Sequence, residues 1–199
     1  MESGRKLERA FFQRNPTICA KELIGCTLSF AGCAGMIVET EAYAALGDPA
    51  CHTWRRPSAR EFVLKHQPGS AYVYLNYGLH WLFNFLVKGG ESDGFVLIRA
   101  LKPLHGIEIM KQRRDRLKAE ELCNGPGKLT QSLEINGVHH GIDPISAKGW
   151  NLSLGKTDLA TIHASSRIGI TQAREYPWRF FLPRCKFVSL PSRGAESHP

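Results

Sequence analysis

The segment Ile37-Val38-Glu39-Thr40-Glu41-Ala42-Tyr43 sets two carboxylates into an otherwise apolar run. Read as a strand, with Gly35-Met36 leading in, it places Glu39, Glu41 and Tyr43 on one face, because successive side chains alternate. Its aliphatic residues ask for at least half burial. An ionised carboxylate withdrawn from water costs several kcal/mol unless it is paired, hydrogen-bonded or put to use. The fold must therefore leave this strand at an edge with a solvated acidic face, or supply partners for two buried acids.

The 199 residues suffice for one domain with its own core. Asn15-Pro16-Thr17 reads as a helix start, with Asn15 as the cap and Pro16 in the first turn, and the helix should run to about Gly25. Strands are expected over 27–30 and 36–43. Residues 44–70 read as a long polar and basic loop, punctuated by Gly47-Asp48-Pro49 and Gln67-Pro68-Gly69-Ser70; a loop of that length usually carries function. Strands at 71–77, 80–87 and 94–101 follow, then helices at 104–118 and 126–133. Short strands at 151–154, 166–170 and 187–190, with a helical piece near 171–175, complete the pattern. The expected architecture is a single α+β domain over 15–190, a curved, mostly antiparallel sheet flanked by helices. An arm (1–14) should precede it and a disordered tail (191–199) follow.

The formal charge of +8, from 26 basic and 18 acidic residues, points to a polyanionic partner. The basic residues cluster at Arg55, Arg56 and Arg60, along 111–118, and at Arg179, Arg184 and Lys186. No apolar run has membrane-spanning length, and Met1-Glu2-Ser3-Gly4-Arg5-Lys6 is too polar for a signal peptide. A cytoplasmic, nucleoid-associated location is expected in a bacterium, or a nuclear one in a eukaryote, with no membrane partner. Six dispersed cysteines without a C-x-x-C read as reduced core thiols, so neither metal nor cofactor is expected.

An enzyme acting on a base inside duplex DNA must rotate the nucleotide out, stack the base, fill the gap and aim a nucleophile at the sugar. Four of the five tyrosines (Tyr43, Tyr72, Tyr74, Tyr77) fall within 35 residues. Tyr72 and Tyr74 share a strand face, and Tyr77 sits at a turn where it can act as a wedge. His52 offers stacking and a hydrogen bond, Glu41 can activate water, and Arg99 ends an apolar strand. Singly, each also has an ordinary reading as packing or surface pairing.

In order along the chain stand Val38-Glu39-Thr40-Glu41-Ala42-Tyr43, His52, Tyr72-Val73-Tyr74 with Tyr77-Gly78, and Asn84. Val96-Leu97-Ile98-Arg99-Ala100-Leu101, Gly125-Pro126-Gly127-Lys128-Leu129, Arg167-Ile168-Gly169-Ile170, Pro177-Trp178-Arg179-Phe180 and Phe187-Val188-Ser189 follow. This ordered set resembles the 3-methyladenine DNA glycosylases of the alkyladenine (alkylpurine, AAG) family over about Asn15 to Ser189, in a compact bacterial-type form. The resemblance implies an AAG-like fold and a monofunctional enzyme of base-excision repair. Its substrates would be 3-methyladenine, 7-methylguanine, hypoxanthine or ethenoadenine in double-stranded DNA, acted on by a monomer.

By the same resemblance Glu41 would deprotonate water and Arg99 would help hold it. Tyr43, His52 and Tyr74 would sandwich the flipped base, Asn84 would shape the pocket floor, and Tyr77 would enter the duplex. Arg55, Arg56, Arg60, Lys128 and Arg179 are the candidates for the DNA backbone. Glu39 receives no catalytic role. Ser58-Ala59-Arg60-Glu61 departs from the family's loop, with Glu61 where an asparagine is usual. Two rival readings are an inert lesion- or nucleic-acid-binding protein and a bifunctional glycosylase/lyase.

Overall fold

Helix α1 (Pro16–Glu22) begins as its sequence predicts: the Asn15 side chain accepts the Thr17 amide at 2.9 Å and Pro16 takes the first helical position. It packs on the longest strands through Thr40, whose hydroxyl donates to the Ala20 carbonyl at 2.7 Å. The computed structural model describes residues 4–155 and 157–189, so the tail expected at 191–199 lies outside the described residues.

Strands β1 (Thr27–Phe30), β2 (Cys33–Ala44), β3 (Ala71–Asn76), β4 (His80–Val87), β5 (Gly94–His105) and β6 (Asn151–Ser153) pair in the order β3-β4-β5-β2-β1-β6. Two short strands, β7 (His163–Ser165) and β8 (Arg179–Phe181), extend the sheet, with β8 lying beside β2 at Glu39 to Glu41. All these pairings are antiparallel. The architecture is the expected α+β one.

One sheet face buries Val73, Phe83, Phe85, Val96 and Ile98 in the main core, together with α1, α4 (Ile107–Arg114) and α5 (Pro126–Ser132). Each fully buried aromatic or aliphatic side chain there contributes roughly 1.5–3 kcal/mol. The alternate residues Tyr72, Leu86 and Phe95 face the other way, against Phe62 and Val63 of α3 (Pro57–Lys65).

Strict alternation would put Ile37 on the same face as Glu39 and Glu41, yet Ile37 joins the main core along with Ala42. The register explains it. Ile37 pairs with Leu101 and Glu39 with Ala100, then Thr40 with Ile98, so Val38 and Arg99 are each left unpaired as bulges. A bulge reverses the facing of all that follows. The two matched bulges keep Ile37, Leu101, Ile98, Thr40 and Ala42 against the helices while turning Glu39, Glu41, Tyr43 and Arg99 to the opposite side.

Several sequence expectations differ from the structure, among them the helix expected from 104, which starts at Ile107 after β5 has run on to His105. Residues 44–70 are not a bare loop but hold α2 (His52–Arg55) and α3. In α3, Pro57 occupies the first turn and Ala59, Phe62 and Val63 bury one side, a helical spacing that the basic composition masked. Residues 166–175 and 187–189 form neither strand nor helix, and strand pairing falls instead to 163–165 and 179–181. Within the expected arm, Leu7 and Phe12 are buried, and the Leu7 amide donates to the Leu152 carbonyl at 2.8 Å.

Candidate active site

Cross-strand register lines up the site. Tyr72 pairs with Asn84, Asn84 with Leu97, Leu97 with Glu41, and Glu41 with Arg179. The next row runs from Leu86 through Phe95 to Tyr43. Of these residues Tyr43, Tyr72, Asn84, Phe95 and Leu97 floor a cavity of about 720 Å³, walled by His52 and Arg55 of α2 and Arg56 just after it, by Tyr74, Tyr77 and His80 of the β3–β4 hairpin, by Gly125 to Lys128, and by 168–172. Its volume falls within the range of small-molecule binding sites, about 300–1,000 Å³.

Among the described residues the buried charged side chains are Glu39, Glu41, Asp48, Arg99, Arg167 and Arg179. Three acids thus meet three arginines. Glu39 is enclosed by donors: Arg179 Nε at 2.6 Å, Arg99 Nε at 3.2 Å, Ser189 Oγ at 2.8 Å and the Ser189 amide at 2.6 Å. Asp48 is held bidentately by Arg167, at 2.6 and 2.8 Å. Glu41 accepts the Tyr43 hydroxyl on Oε2 at 2.7 Å and the Ile168 amide on Oε1 at 2.7 Å, with Arg99 Nη1 3.3 Å from Oε2. Glu41 itself is fully buried, and Tyr43, Arg99 and Ile168 stand between it and the cavity.

These surroundings set protonation states. Burial pulls the Arg99 pKa down, but Glu41 and Glu39 outweigh it and hold it above the ordinary value. Burial, reinforced by the Glu41 carboxylate, pushes the Tyr43 phenol well up, so it remains a donor to Glu41. Burial, with the Arg56 charge adding to it, lowers His52 to about 4, leaving a neutral imidazole at pH 7. His52 Nδ1 lies 3.0 Å from the Tyr72 hydroxyl, and its ring meets Tyr74 at 4.3 Å between centroids and 62°. The Asn84 amide donates to the Tyr72 carbonyl at 3.0 Å, which fixes its orientation at the floor.

Tyr77 forms the outer edge of the wall at the hairpin tip, 87% exposed. The Leu79 amide donates to the Asn76 carbonyl, closing a turn whose central residues Tyr77 and Gly78 have φ of +49° and +69°. A glycine adopts that conformation freely; a tyrosine there is strained.

The sequence-predicted residues Glu41, Arg99, Tyr43, His52, Tyr74 and Asn84 are brought together around one cavity. Arg55, Arg56 and Lys128 reach its wall, and exposed Arg60 donates to the Thr53 carbonyl at 2.6 Å. Arg179 needs correction as a DNA-backbone candidate. It is buried, bound to Glu39 and Ser165, with its guanidinium 4.4 Å from the Phe181 ring centroid, so phosphate has no path to it. Sequence reasoning missed the Asp48–Arg167 pair, the Ile168 amide, and Arg114 and Gln131 on the wall. The first two lie on segments about 120 residues apart, and no local spacing signals such a pairing.

Residues 10–186 match the family model described as methylpurine-DNA glycosylase. A protein of Rhodopseudomonas palustris (strain HaA2), named provisionally as a 3-methyladenine DNA glycosylase, is 46% identical over 190 residues, spanning 94% of this chain and 92% of its own length. A second with the same provisional name, from Nitrobacter winogradskyi, is 44% identical over 192 residues, spanning 96% and 91%. A third from Burkholderia cenocepacia is 40% identical over 190 residues, spanning 94% and 92%.

Proposed function

The chain belongs to the methylpurine-DNA glycosylase family of monofunctional base-excision-repair enzymes, and we infer that it flips alkylated or deaminated purines out of duplex DNA and hydrolyses their N-glycosidic bond with Glu41 as general base. The observation that carries this reading is the Glu41 carboxylate, buried and aligned by three donors directly behind an aromatic cavity.

A purine leaves through an oxocarbenium-like sugar, so a carboxylate near C1′ both stabilises positive charge and takes a proton from the attacking water. Tyr43 and Arg99 are the groups at which water meets Glu41. The His52 and Tyr74 rings lie too close, and at too steep an angle, for a base to fit between them. The base therefore stacks with Tyr43 on one side and that pair on the other. Cationic purines such as 3-methyladenine and 7-methylguanine leave readily and gain about 0.5–2 kcal/mol from each tyrosine face they cover. Neutral hypoxanthine and ethenoadenine also need a proton on the leaving base. Tyr77 enters the duplex as the base departs, and Arg55, Arg56, Arg60 and Lys128 meet the flanking backbone.

Single-turnover base release tests this, on duplexes carrying 3-methyladenine, hypoxanthine, ethenoadenine or no lesion. Wild type should release free base and leave an intact abasic strand. Glu41→Gln should retain lesion binding and lose about 10²–10⁴-fold in rate. A Glu41→Gln variant within tenfold of wild type would overturn the assignment of the base.

A further inference from the structure

A guanidinium is stacked behind Tyr43. Arg167 Cζ lies 4.6 Å from the Tyr43 ring centroid and 5.2 Å from that of Trp178, which itself stacks on Tyr176 at 4.5 Å. Tyr43 lines the cavity and Arg167 does not, so one ring presents one face to the pocket and the other to a buried cation. That cation is fixed. Arg167 forks onto Asp48, donates to the Ala42 carbonyl at 3.0 Å and to the Ala173 carbonyl at 3.3 Å, and both side chains of the pair are fully buried. It is also permanent: burial pulls its pKa down, but Asp48 outweighs this and holds it above the ordinary value.

An aromatic face attracts a cation through its electron-rich quadrupole. A cation already seated on one face draws electron density toward itself and repels a second cation across the ring. Asp48 balances the charge of the pair, yet it is the guanidinium that abuts the ring. We propose that Arg167, held by Asp48 against the hidden face of Tyr43, is a specificity-determining residue that lowers the pocket's preference for cationic alkylpurines and so lets neutral lesions compete. This rests on the reading of the cavity as the base pocket, with Tyr43 as one stacking wall.

Loss of Arg167 also disturbs the Ile168 amide that aligns Glu41, so absolute rates fall whatever its role. The informative quantity is the ratio of single-turnover release rates for 7-methylguanine (cationic) and hypoxanthine (neutral). In Asp48→Asn/Arg167→Met, which removes the cation without orphaning the carboxylate, the cationic-to-neutral ratio should rise by about two- to thirtyfold, the range of one cation–π contact. Arg167→Lys keeps the charge and should leave the ratio within about twofold as rates drop. Asp48→Asn alone leaves the cation unbalanced, so its ratio should fall, and this near-isosteric change covers the case in which the double variant does not fold. Equal losses for both lesions in every variant would overturn the proposal and reduce the pair to a brace. Should wild type release neither base, that failure belongs to the glycosylase reading. The same ratio, read as equilibrium binding in a Glu41→Gln background, then decides the role of Arg167.

Discussion

At the scale of single residues, neutrality in the pocket is an achievement of burial. His52 has its pKa lowered from 6.5 to about 4, so on the proposed function it would meet a cationic base without opposing it. Folding stability carries the mark of this. Between the two values the unfolded chain binds a proton that the folded site refuses, so the contribution is complete above pH 6.5 and is lost as pH falls toward 4. After allowance for partial solvent access, the loss should amount to about 1–2 kcal/mol. Urea titrations of wild type and His52→Gln at pH 7.5 and pH 4.5 check it. The variant should lose less stability than wild type on acidification, and equal losses would show that His52 is solvated and titrates normally.

At the scale of elements, alternation in the sequence was enough to place Glu39, Glu41 and Tyr43 on one face, and Tyr72 with Tyr74 on another strand of it. It was not enough to place Ile37, because a bulge at Val38 matched by one at Arg99 leaves no trace in composition. Helix α3 escaped for a different reason: its short apolar spacing sits within a basic, polar stretch. The β3–β4 hairpin was legible as Tyr77-Gly78, but its cost was not. Tyr77 at φ +49° is held in a conformation that asparagine or glycine takes more easily, and strain at an exposed tip persists where function needs the side chain. Tyr77→Asn should therefore stabilise the protein by about 0.5–1 kcal/mol, raising Tm by about 1–4 °C. It should at the same time slow base release from duplex much more than from single strands, where no gap needs filling. A Tm that falls, or equal slowing on both substrates, would remove the wedge from the account.

At the scale of the whole molecule, the charges separate into two populations that the sequence lists together. Three buried acids and three buried arginines cancel, so none of the +8 surplus comes from the cluster behind the cavity. A count of basic residues cannot make that division; Arg179 and Arg55 look alike until burial parts them. Their substitution should fail in different ways. Arg55 and Arg56 stand exposed on the cavity rim, and each phosphate they meet releases condensed counterions. Arg55→Ala/Arg56→Ala should therefore flatten the slope of log affinity against log salt by about 2, since each contact contributes about 0.9, with Tm nearly unchanged. Arg179→Ala removes a partner from fully buried Glu39, which keeps Arg99 and Ser189 but loses its shortest side-chain donor. It should cost about 3–5 kcal/mol of stability and leave the salt slope of the surviving folded protein as it was. Fluorescence anisotropy on an undamaged duplex across about 50–200 mM salt, beside thermal melts, separates the two. A flattened slope for Arg179→Ala at unchanged Tm would mean that this arginine does reach DNA, and that the buried cluster opens when the duplex binds.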